Sequence, residues 1–91
     1  MVYIIDVKIT SEKITPEKIN SVETTFKKEL NDKFSSITKI KIDTILSRGM
    51  IVEIETDEKI DTNSVEDTIK NSLKHGFPDV NVKTILSYTS E

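Results

Sequence analysis

The tetrapeptide Thr-Ile-Leu-Ser occurs twice, at Thr44–Ser47 and at Thr84–Ser87. Aligning the copies and walking backwards puts Ile40 and Ile42 on Val80 and Val82, and Phe34 on Phe77 after a short gap. Further back, Asn20-Ser21-Val22-Glu23 matches Asn63-Ser64-Val65-Glu66, and Phe26, Lys27 and Leu30 match Ile69, Lys70 and Leu73. Glu12-Lys13-Ile14 then meets Glu58-Lys59-Ile60, and Ile4-Ile5-Asp6-Val7 meets Ile51-Val52-Glu53-Ile54. Order is kept throughout with short gaps, the signature of an internal duplication. Whatever one half folds into, the other must fold into as well.

Each half has the same grammar. Tyr3, Ile5, Val7 and Ile9 alternate with polar neighbours, as do Met50, Val52, Ile54 and Thr56. Period two means a half-buried strand. A helix follows. Thr15 before Pro16 is an N-terminal cap with proline at the first helical position, and Ile14 can staple on Ile19. In the second half Asp61 takes the cap and Ile60 can staple on Val65. Ile19, Val22, Phe26 and Leu30, like Val65, Ile69 and Leu73, recur at three- and four-residue spacing, which makes one apolar helical face. Gly76 followed by Pro78 predicts the end of the second helix. The first helix is expected to carry about one extra turn. A second strand closes each half, with Ile40, Ile42 and Leu46, or Val80, Val82 and Leu86, facing inwards. Ser47 to Gly49 is too short for a crossover, so the second and third strands are antiparallel neighbours across a tight hairpin.

The order β-α-β-β-α-β with right-handed connections has one simple closed solution. It is a four-stranded antiparallel sheet with both helices on one face and strand order 4-1-3-2, the α+β, ferredoxin-like split βαβ sandwich. Ninety-one residues fit a single such domain, 1–91, with repeat halves of about 1–47 and 48–91.

Few chemistries survive inspection. With no cysteine there are no disulfides, thiolate metal sites or cysteine nucleophiles. The single histidine, His75, has no partners that would orient it as a base or ligand. The run Asp57-Glu58-Lys59-Ile60-Asp61 lacks the alternating oxygens and glycine of a calcium loop. The two glycines, Gly49 and Gly76, have turn and cap explanations, so nothing resembles a phosphate cradle. The expectation is a non-enzyme with no catalytic residues, metal or cofactor.

Familiar uses of the fold also fail by position. Heavy-metal-binding versions carry a CxxC in the first loop and acylphosphatase-like enzymes an arginine, where this chain has Thr10-Ser11-Glu12-Lys13. RNA-recognition motifs display aromatics on the central strands, where Asp6, Lys8, Glu53 and Glu55 stand here. ACT-like regulatory domains have a glycine near the first strand–helix turn, which is missing.

A net charge of −3 is poor for sequence-independent phosphate binding. Acidic groups crowd residues 49–67, against the single Lys59. No apolar run approaches membrane-spanning length, and MVYIIDVKI lacks a basic leader and meets Asp6 too early for a signal peptide. A cytoplasmic location away from membranes is the expectation.

By alternation, the open face carries Ile4, Asp6 and Lys8; Lys39, Lys41, Asp43 and Ile45; Ile51, Glu53 and Glu55; and Asn81, Lys83 and Ile85. Ile45 and Ile51 are expected as neighbours at one corner, Ile4 and Ile85 at the opposite one. Paired apolar residues bordered by both signs of charge invite a protein contact. The expected function is a small protein-binding or self-associating module. Its contact residues are Ile4, Ile45, Ile51, Ile85, Lys41, Lys83, Glu53 and Glu55, and its partner a second copy in a homodimer or another protein. The alternatives are nucleic-acid association through edge lysines and a regulatory domain sensing a small ligand between protomers.

Overall fold

The computed structural model describes residues 1–9, 16–45, 49–74 and 76–89. The elements run β1 (Val2–Ile9), α1 (Pro16–Lys33), β2 (Ile37–Ile45), β3 (Gly49–Thr56), α2 (Thr62–Leu73) and β4 (Val80–Tyr88). The sheet order is β2-β3-β1-β4 with every neighbour antiparallel. This is the expected order, read from the other edge. The cap and staple expected at Thr15, Ile14 and Ile19, the inward Leu46, the loop Thr10–Lys13 and His75 lie outside the described residues or side chains.

The core forms where the periodicities meet. Ile5, Val7 and Ile9 of β1 and Met50, Val52 and Ile54 of β3 are buried against Phe26 and Leu30 of α1 and Val65, Ile69 and Leu73 of α2. Phe77 and Val80 complete the cluster. Tyr3 is buried too, and its hydroxyl accepts the Ile60 N–H at 3.1 Å, which ties β1 to the entry of α2. Asp61 caps α2 as expected, accepting from the Asn63 N–H at 3.1 Å.

The duplication is visible in backbone hydrogen bonds. Phe34 N–H donates to the Leu30 carbonyl and Ile37 N–H to that of Phe34; Phe77 donates to Leu73 and Val80 to Phe77 in the same way. The helix exits are therefore equivalent, and Ile37 stands where Val80 stands. Their cross-strand partners are Thr56 and Ile9. Following the sheet register from these anchors matches Val82 with Ile40 and Thr84 with Ile42. The two TILS copies are thus out of structural step, although the halves that contain them are equivalent. Each edge ladder carries one irregularity, between Ile37 and Lys39 in β2–β3 and between Ile4 and Ile5 in β1–β4.

Gly49 does more than the expected hairpin requires, and Gly76 differs from expectation. Gly49 is the first residue of β3, with φ of +143°. A Cβ there would lie 1.8 Å from the Val7 carbonyl oxygen. It is required by close approach of β1 as well as by the hairpin. Gly76 does not adopt a positive φ. It lies against α1, where a Cβ would meet Val22 at 3.6 Å, and α2 ends at Leu73 with Lys74 still right-handed.

Gly49→Ala combines a forbidden φ with a backbone clash, so it should destabilise the fold by about 3 kcal/mol or more. Urea denaturation measures this. Gly76→Ala should stay within about 1 kcal/mol of wild type, because its site has room for a methyl group.

Candidate functional site: the open face of the sheet

The register arranges the open face in four cross-strand rows. From β2 to β4 they are Lys39–Glu55–Val2–Tyr88, Lys41–Glu53–Ile4–Leu86, Asp43–Ile51–Asp6–Lys83 and Ile45–Gly49–Lys8–Asn81. Most of the expected contact residues fall here. Lys41 stands directly opposite Glu53, and Lys39 opposite Glu55, so β2 and β3 form a basic column beside an acidic one. Lys83 stands opposite Asp6.

The apolar corners are rearranged. Ile45 stands opposite Gly49 rather than Ile51, so the two isoleucines are diagonal neighbours across a residue with no side chain. Ile45 is 38% exposed and Ile51 half-buried. At the other end Ile85 is the extra residue of the bulge, and Leu86 takes the expected place opposite Ile4. From that point the inward–outward alternation of β4 is reversed. Leu86, expected in the core, is 54% exposed, and Ile85 is 55% exposed. Tyr88 joins the open face at 44% exposure, opposite a Val2 that is only 2% exposed. Val2, Ile4, Leu86 and Tyr88 therefore form a contiguous apolar corner.

The residue just before the reversal is anchored on the helix side. Thr84 faces α2, and both its backbone N–H and its hydroxyl donate to the Glu66 carboxylate, at 3.1 and 2.7 Å. A threonine satisfied by a helix carboxylate is better placed inwards than an unpartnered one. The extra residue then lets Leu86 and Tyr88 continue outwards. Alternation puts Val2 in phase with Ile4 but could not find Leu86 or Tyr88, because a bulge leaves no hydropathy signal. The hint available was Thr84 itself, a polar residue in phase with the inward Val80 and Val82.

A cleft of about 360 Å³ lies between the start of α1 and the α2–β4 connection, lined by Glu17, Lys18, Ser21, Val22, Gly76 and Phe77. Lys18 sits 6.0 Å from the Phe77 ring centroid. Among the described residues, no three histidine, cysteine or acidic side chains converge as metal ligands would. No described helix is long and apolar enough to cross a membrane.

No protein-family model matches the chain, and no curated protein sequence matches it. Among solved structures it is similar to the solution NMR structure of the de novo designed protein LFR1 1 with ferredoxin fold. The TM-score is 0.65 at 15% identity, over 100% of this chain and 90% of that one. The chain has an α+β ferredoxin-like fold, a four-stranded antiparallel sheet with two helices.

The reversed alternation makes a direct forecast. Leu86→Ser should change stability by no more than about 0.5 kcal/mol, as a surface substitution does. Thr84→Val should cost about 1 kcal/mol by removing one hydrogen bond to Glu66. Thermal or urea unfolding of the two variants checks this, and the opposite ranking would return Leu86 to the core.

Proposed function

We propose that this chain is a small, non-enzymatic protein-binding module that works through the open face of its sheet. The carrying observation is the apolar corner of Ile4, Leu86 and Tyr88, exposed or half-buried with no helix over it. Beside it stand the paired basic and acidic columns of Lys39, Lys41, Glu55 and Glu53. An apolar centre with a rim of both charge signs matches the chemistry of a protein surface. Glu53, Glu55 and Asp6 on the central strands oppose a phosphate backbone. The expected contact set is Ile4, Ile45, Ile51, Ile85, Lys41, Lys83, Glu53 and Glu55, to which Leu86 and Tyr88 are now added. The occupant is another protein or a second copy of the chain.

Affinity capture from the source cells tests this with three baits. Wild type and a helix-side control, Asp67→Lys, should retain the same partner. A Leu86→Asp, Tyr88→Asp double variant should lose it at least about tenfold, since burying an unpaired charge in a contact costs several kcal/mol. Equal capture by all three baits would place the contact off this face. Tight, strongly salt-dependent binding to single-stranded RNA would favour the nucleic-acid alternative.

A further inference from the structure

The two edges of the sheet are not alike. The Thr56 N–H donates to the Met1 carbonyl at 2.8 Å, and the Met1 amino group to the Thr56 carbonyl. Even-numbered residues of β3 therefore point their backbone groups at β1, and odd-numbered ones point at β2. Glu53, Ile51 and Gly49 bond to their partners Lys41, Asp43 and Ile45. The backbone groups of Ile40, Ile42 and Thr44 are left pointing out of the sheet along the free edge of β2.

The same reasoning on β4 leaves Val80, Val82 and Thr84 pointing outwards, and there the Thr84 N–H is taken by the Glu66 carboxylate. The first-half counterpart of Glu66 is Glu23, and that of Thr84 is Ile42. Glu23 is turned instead to Lys27, at 3.2 Å along α1. Isoleucine has no hydroxyl to hold a carboxylate. Ile40 and Ile42 also remain half-buried, whereas their counterparts at the inner strands are fully covered.

We infer that the β2 edge is an interface for a second copy of this chain, which adds its own β2 antiparallel about a twofold axis at Ile42. The register follows from charge. Centring on Lys41 would oppose Lys41 to itself, and centring on Asp43 would oppose two aspartates. Centring on Ile42 puts Lys41 opposite Asp43 of the partner, twice, on the open face. It also places Ile42 against Ile42 on the helix side, where both are half-buried in the single chain. The outward groups of Ile40, Ile42 and Thr44 become the hydrogen-bonding positions of the new ladder. Edge lysines discourage pairing in general; here each meets an aspartate or a neighbour of no charge. The product is an eight-stranded sheet with both open faces on one side. This inference does not depend on the open-face reading above.

Sedimentation equilibrium of the full chain in the micromolar range tests it. Wild type should approach twice the chain mass. Lys41→Asp and Asp43→Lys each create two like-charge contacts and should weaken dimerisation about tenfold or more. Mixing the two variants restores opposite charges at both contacts and should restore a dimer. Leu86→Asp should leave it intact. A wild type that stays monomeric throughout overturns the inference, as does dimerisation of either charge variant at wild-type strength or a mixture that remains monomeric. Loss of the dimer in Leu86→Asp but not in Lys41→Asp would assign self-association to the open face instead.

Discussion

The helix-side face of the central β1–β3 pair is the constraint on which the molecule rests. Ile5, Val7, Met50, Val52 and Ile54 are essentially inaccessible to water there. Their strands alternate without interruption, and both helices are bound to that face by Phe26, Leu30, Val65, Ile69 and Leu73. Once the helices are committed to one side, the opposite side of the same strands has no cover of its own. The open face is a consequence of the core. Glu53, Glu55, Asp6 and Lys8 stand where they do because their neighbours in sequence are buried.

The edge strands obey a looser rule. Each contains a one-residue bulge, and each bulge changes which residues face the helices. In β2 the extra residue allows Ile37 as well as Ile40 and Ile42 to face the helices. In β4 it comes directly after Thr84, which meets Glu66, and turns Leu86 and Tyr88 out. Thr84 is worth more inside than its position in the repeat implies, because Glu66 offers two short hydrogen bonds from a half-buried carboxylate.

That contact also breaks the symmetry that the duplication would impose. Two halves with equivalent helix exits end in unlike edges: on β4 a helix carboxylate caps the outward N–H of Thr84, and on β2 the equivalent Ile42 has no such cap among the described residues. A duplicated chain with equivalent edges would be open to pairing at both, and heterologous pairing of that kind grows into filaments.

The fold class, the element order, the strand order and almost the whole central core could be read from the sequence. All are set by periodicity, and hydropathy reports periodicity over every strand and helix of sufficient length. Asp61 as a cap was equally legible, since capping is local. The repeat gave the right architecture through a partly misleading cue, because the TILS copies occupy inequivalent places in the sheet. Position within a ladder depends on where bulges fall, and a bulge is decided by contacts between residues distant in the chain. Leu86 and Tyr88 on the open face, Val2 buried there, Ile45 opposite Gly49, and the unlike edges of β2 and β4 were therefore decided only by the tertiary structure. The places of Leu86 and Tyr88 turn on a one-residue shift, and the period of a strand carries no record of where such a shift falls.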